Sequence, residues 1–132
     1  MARHTMRAVA GVVFGLVGLV SLWAQDAPVV SGPSRAEPLA TVNLAEVGLA
    51  GSLTAGRVTI EAGITRPDHT HTGRTSLLVV IQGTLTEVRG TARREYHPGD
   101  VVAVAEGATH HAENHGTVPV VYVEINATAN KK

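Results

Sequence analysis

The chain has 132 residues, enough for one domain, with 11 basic and 11 acidic residues, no cysteine and only 3% aromatic residues. The missing cysteines exclude disulfides, thiolate metal sites and a cysteine nucleophile, and the absence of a basic excess makes nucleic acid an unexpected partner. With so few aromatic residues, the core has to come from Val, Leu, Ile and Ala.

Arg3, His4 and Arg7 form a basic start. An apolar run follows from Ala8 to Leu22, and the chain turns polar at Gln25 and Asp26 among small residues. At 15 residues the run falls short of the roughly 20 needed to span a bilayer, so it reads as a secretory signal peptide. Cleavage is expected after Ala24, with Ala27 as the second choice; the alternative is an uncleaved N-terminal anchor. In either case the domain is exported, to the periplasm or beyond the cell. Removal of residues 1–24 leaves 108 residues, with nine basic against 11 acidic side chains and a formal charge of −2.

Residues 25–38 carry Pro28, Gly32, Pro33 and Pro38 without apolar periodicity and are expected to be a linker. The domain is expected over residues 39–126, with a polar tail over 127–132. Thr41 to Leu44 is a first short strand. Arg57 to Glu61 alternates polar and apolar, as a strand with one wet face does. Gly63 to Asp68 is a loop, since Pro67 bars a helix. Thr75 to Gln82, dense in β-branched residues, reads as a buried strand that Gly83 ends. Thr84 to Val88 and Arg93 to His97 flank a hairpin turn over Arg89 to Ala92. After the tight turn Pro98-Gly99-Asp100, further strands are expected over Val101 to Ala105, His110 to Glu113 and Val118 to Ile125. No stretch after Leu22 reads as a helix of ten residues. Short strands at this spacing indicate an all-β sandwich or barrel.

Six of the seven histidines fall between His69 and His115, five of them in two tight groups and His97 between. His69 and His71 are two apart, a spacing that in a strand puts both imidazoles on one face. His110 and His111 lie about forty residues downstream. Two histidine groups in a strand-rich chain suggest a metal site assembled from distant segments.

Gly63-x5-His69-x-His71 followed by Gly83 resembles the first motif of the cupins. Gly99-Asp100 with Gly107-x2-His110-x3-Asn114 resembles the second. The resemblance covers roughly Leu39 to Asn126 and implies a double-stranded β-helix of the jelly-roll type, with a divalent metal inside the barrel mouth. Carried over residue by residue, it implies His69, His71 and His110 as ligands and a structural Asn114. Two positions depart from the pattern. The usual Glu of the first motif falls at Ser76, or at Thr75 with the shorter spacing. The Pro usual before Gly107 is Ala105.

Three imidazoles leave a +2 ion uncompensated, so the site is expected to favour an anionic exogenous ligand, with Ser76 or water in the fourth place. The metal could be Fe, Mn, Zn, Cu or Ni, and the partner a small oxygen-rich molecule, with dioxygenase-like oxidation or carbonyl polarisation as the chemistry. The alternative is a non-catalytic cupin that binds a small ligand such as a sugar and has a degenerate or structural metal site. A homodimer through exposed sheet edges is a further expectation. Glu87, Glu113 and Glu124 are the carboxylates able to approach the site. Arg66 and Arg74 flank the histidine pair, as anion guides or as solvated loop residues. His111 is expected on the face opposite His110, His115 at the rim, His97 at a strand end, and Tyr96 and Tyr122 in the core.

Overall fold

The computed structural model describes residues 34–130. The expected signal peptide, most of the expected linker and the last two residues lie outside the described residues. Nine strands follow in order: β1 (Ser34–Asn43), β2 (Ser52–Ile60), β3 (His69–Thr70), β4 (Arg74–Gln82), β5 (Leu85–Arg89), β6 (Ala92–Tyr96), β7 (Val101–Val104), β8 (Thr109–Glu113) and β9 (Val120–Thr128). They form two antiparallel sheets, ordered β1-β2-β9-β4-β7 and β3-β8-β5-β6. This is the all-β, jelly-roll arrangement expected of the sequence.

Alternation along the strands builds the core. Val58 and Ile60 of β2, Leu78 and Val80 of β4, Val102 and Val104 of β7, and Val120 and Tyr122 of β9 face inward. They pack on Leu85 of β5 and Ala112 of β8. Each such aliphatic side chain contributes about 1.5–3 kcal/mol through its burial. The expectation of a fully buried β4 is corrected. Leu77 and Ile81 on its outer face are 44% and 54% exposed, because no second layer among the described residues covers that side.

The ordered domain also starts earlier than Leu39. β1 begins at Ser34, inside the stretch read as linker, and pairs with β2 from Ser34↔Ile60 to Asn43↔Ser52, with a bulge between Pro38 and Ala40. The strand is an edge, exposed along nearly its whole length, so it needs no apolar alternation and left none to read. Its proline is tolerated for the same reason, since an edge strand can spare an N–H. Asn43 then caps a short 3-10 turn, Leu44–Val47, by accepting from the Ala45 N–H at 3.0 Å.

Two features place the histidines. The loop ahead of β3 is laced to β8: the Gly63 N–H donates to the Asn114 carbonyl, Arg66 N–H to Ala112, and Asn114 N–H to Ile64, all at 2.9 Å. Behind them, Gly83 turns the chain with φ +75°, where a Cβ would lie 2.8 Å from the Pro119 carbonyl oxygen, so glycine alone fits.

Candidate metal centre

His69 opens β3 and sits directly across from His110 on β8. His71 follows two residues later on the same face. Its backbone is fixed by two hydrogen bonds to the turn before β8: His71 N–H to Ala108 O and Gly107 N–H to His71 O, both 3.1 Å. The ligand atoms of His69, His71 and His110 all lie within 4.8 Å of one another. Nε2 of His71 is 3.0 Å from Nε2 of His110 and 3.3 Å from Nε2 of His69. Two nitrogens bound ~2.1 Å from one ion stand ~3.0–3.4 Å apart at octahedral or tetrahedral angles. His71 and His110 are buried, and His69 is half-buried towards the mouth.

The partners on the far side of each ring fix the tautomers. Nδ1–H of His110 donates to Glu87 Oε1 at 2.8 Å, and Nδ1–H of His69 to the Pro67 carbonyl at 3.4 Å. The Ser76 hydroxyl donates to Asn126 Oδ1 at 2.5 Å, which leaves Ser76 Oγ to accept from Nδ1–H of His71 at 2.8 Å. All three Nε2 atoms therefore present lone pairs to a common point. A proton or a cation is needed between them, and the residues present fit a divalent ion. Ser76, where the sequence resemblance places the usual Glu, orients His71 from behind; it does not face the point of convergence.

The electrostatics agree with neutral rings. Burial is the main cause that lowers the pKa of His71 to about 4, helped by the nearby Arg74 and the other two histidines. Burial also lowers His69, against the opposing pull of its Pro67 hydrogen bond. Burial alone would raise Glu87, but hydrogen bonds from His110 and Arg89 bring it below the ordinary carboxylate value.

The remaining candidates sort by strand face. Glu87 points inward and holds His110. Glu124 of β9 points inward as well, with Oε1 3.9 Å from His71 Nε2. Glu113 does not approach the site: it lies on the outer face of β8 and pairs with Arg93, His111 and His115. His111 faces outward beside it, opposite His110, between Glu113 and Asp68. His97 is exposed at the end of β6. Asn114 is buried and bonded to backbone groups alone. Arg66 is no solvated loop residue. Its Nη1 donates to the hydroxyl of buried Tyr122 at 2.8 Å, and its charge bears on His69. The sequence named Arg66 and Glu124 as candidates without fixing their roles, which arise from a loop crossing and a strand register.

The outer cluster has a pH signature. Hydrogen bonds from Arg93, then His111 and His115, hold Glu113 at about 2. Hydrogen bonds to Asp68, then to Glu113, raise His111. The lowered carboxylate stabilises above its unfolded value of 4.5 and loses this as pH falls towards 2. The raised histidine stabilises fully below 6.5 and loses this as pH rises through its folded value. The cluster should therefore contribute most between roughly pH 4.5 and 6.5. In urea melts of metal-free protein, the stability gap between wild type and Glu113→Gln should peak in that window and narrow at pH 3 and pH 8.5. A gap that does not vary with pH would remove the cluster from the account.

A double-stranded β-helix with three converging imidazoles defines a class of small barrel proteins with a histidine centre in the mouth. A family model for the cupin domain matches residues 56–126, and the chain belongs to that family. Similar folds include KdgF from Halomonas sp., with TM-score 0.62, 16% identity, and coverage of 75% of this chain and 82% of that one. The cupin domain of Schizosaccharomyces pombe Cnp3 superposes with TM-score 0.64 at 19% identity, over 76% of this chain and 70% of that one. Oxalate oxidase in complex with the substrate analogue glycolate gives TM-score 0.60 at 21% identity, over 79% of this chain and 55% of that one. No curated protein matches the chain in sequence.

Proposed function

We propose that the protein is an exported cupin that holds one divalent transition metal on His69, His71 and His110 and binds or transforms a small, anionic, oxygen-rich molecule. The observation that carries this reading is the convergence of three Nε2 lone pairs, each fixed by a partner on its Nδ1. Imidazole donors suit Fe, Mn, Zn, Cu and Ni alike. When bound, such an ion supplies Lewis acidity or, for iron and copper, oxygen chemistry.

The chain's own groups favour an anionic ligand. Arg66 is held on the Tyr122 hydroxyl and its charge bears on His69, and a guanidinium so placed can pair with a carboxylate. A cavity of about 270 Å³, room for a few-carbon molecule, lies on the β1–β2 side and is lined by Glu37, Glu124 and Asn126 with Ala36, Pro38, Thr54 and Gly56, though by none of the three histidines. Oxalate oxidase, a structural neighbour, binds glycolate, a molecule of this size and charge. Export rests on the apolar run Ala8 to Leu22. Ser76 at the place of the usual Glu favours a second reading, a cupin that binds its small ligand without turnover.

The test is metal analysis of the protein purified without a metal-binding tag, followed by thermal melts with glycolate and oxalate. Near-stoichiometric metal, with a ligand shift seen only in the loaded protein, is expected. A ligand that stabilises metal-free and loaded protein equally would favour the second reading. An absence of metal after reconstitution with all five ions would overturn the metal centre.

A further inference from the structure

Within the metal-centre reading, on which this inference rests, the carboxylate absent at Ser76 has a counterpart one strand away. β4 and β9 are hydrogen-bonded neighbours, with Ser76 paired to Asn126 and Leu78 to Glu124. Val120, Tyr122, Glu124 and Asn126 share the inward face of β9 by alternation. The first two fill the core, and the last two reach the histidines. Asn126 takes the Ser76 hydroxyl. Glu124 Oε1 stands 3.9 Å from His71 Nε2. Gly56 lies across from Glu124 on β2, so no side chain crowds the carboxylate from that strand.

Among the described residues, Glu87 and Glu124 are the two carboxylates within ion-pair distance of the three imidazoles. Glu87 is already engaged by His110 Nδ1 and Arg89, on the side away from the converging nitrogens. Among the described residues Glu124 has no hydrogen-bond partner, and it is mostly buried, its side chain 15% exposed. The site around it is rich in positive charge, because Arg66 and Arg74 act on His69 and His71. A dication added to this field needs an anion close by, and Glu124 is the free one.

We infer that Glu124 is the fourth protein ligand of the divalent ion, so that a carboxylate moved from β4 to β9 restores a three-imidazole, one-carboxylate set. Donors ~2.1 Å from a common ion are separated by ~3.0 Å when adjacent and ~4.2 Å when opposed, and the His71–Glu124 distance lies in that range. Glu124 stands outside the group of three whose atoms are all mutually within 4.8 Å. In this rotamer it addresses one imidazole, and rotation about its side-chain torsions closes the remaining gap when the ion binds.

The experiment compares wild type, Glu124→Gln and Glu124→Ala by zinc competition against a chelator, and by the visible spectrum of the cobalt(II)-loaded protein. Both variants should bind zinc at least about tenfold more weakly, with altered cobalt bands and an unchanged melting temperature for the metal-free protein. Added acetate should restore part of the affinity of Glu124→Ala, which a merely structural role would not allow. Equal affinity and an identical cobalt spectrum in Glu124→Gln would overturn the inference while leaving the three-histidine centre standing. A wild type that binds neither ion would overturn both.

Discussion

Loaded with a divalent ion, wild type should melt well above the His71→Ala variant, and the variant should retain no metal through gel filtration. His71 is the ring that holds the group together. It is fully buried, and its Nε2 is the one within 3.3 Å of both neighbours. Its backbone is tied to the turn at Gly107 and Ala108, so no other side chain can move into the gap. Loss of an outer partner of a ligand already costs ~10–100-fold in affinity, and loss of one of three imidazoles should exceed that. An ion present at 100 times its Kd adds about 2.7 kcal/mol, or roughly 10–20 °C in Tm for a domain of this size. Calorimetry with and without the ion checks this. A metal-induced shift in His71→Ala equal to that of wild type would remove His71 from the ligand set.

The second large effect is on stability and has nothing to do with metal. Asn114→Ala should cost about 3–5 kcal/mol, a large share of the ~5–15 kcal/mol that holds a domain together. The Asn114 side chain is buried and satisfies three backbone groups. Its Nδ2 donates to the carbonyls of Ile60 and Val118, and its Oδ1 accepts from the Gly116 N–H, all at 2.9 Å. These bonds join the end of β2 to the β8–β9 connection. Truncation strands all three partners, and a buried polar group left unmatched costs about 1–3 kcal/mol. Asn114→Asp should be no milder, since a carboxylate would face two carbonyl oxygens. Urea midpoints decide the matter, and a loss below 1 kcal/mol for Asn114→Ala would show that water takes over these bonds.

The histidine centre was legible because its spacing is local. His69 and His71 declare a shared face, and His110 and His111 declare opposite faces, all from the period of two. The motif glycines were legible for a similar reason: at Gly83 the backbone leaves no room for a side chain. Where partners come from far along the chain, the sequence named candidates such as Glu87, Glu113 and Glu124 without choosing among them. Glu124 looks like any polar residue in an alternating strand until β9 is laid beside β4. Glu113 looked equally able to reach the metal, and one step of strand parity sends it to the opposite face. β1 left no trace before Thr41, because an edge strand exposed on both faces obeys no hydrophobic pattern. Arg66 depends on where a loop crosses the mouth, which no periodicity encodes.

The place of β9 bears on the order in which the molecule comes together. Among the described residues the last strand, β9, is the middle strand of the larger sheet, with β2 on one side and β4 on the other. Until it arrives, β2 and β4 have no bridge, Tyr122 and Val120 are missing from the core, Asn126 is missing from beside Ser76, and Glu124 from beside His71. During synthesis from the N-terminus, the larger sheet therefore waits for β9, residues Val120–Thr128. Closure across such long stretches of chain is slow compared with local pairing, and the β5–β6 hairpin can form well before it. Truncation inside β9 would consequently leave a collapsed hairpin and unpaired strands, the kind of species that aggregates, whereas the same number of residues lost from β1 would trim an edge.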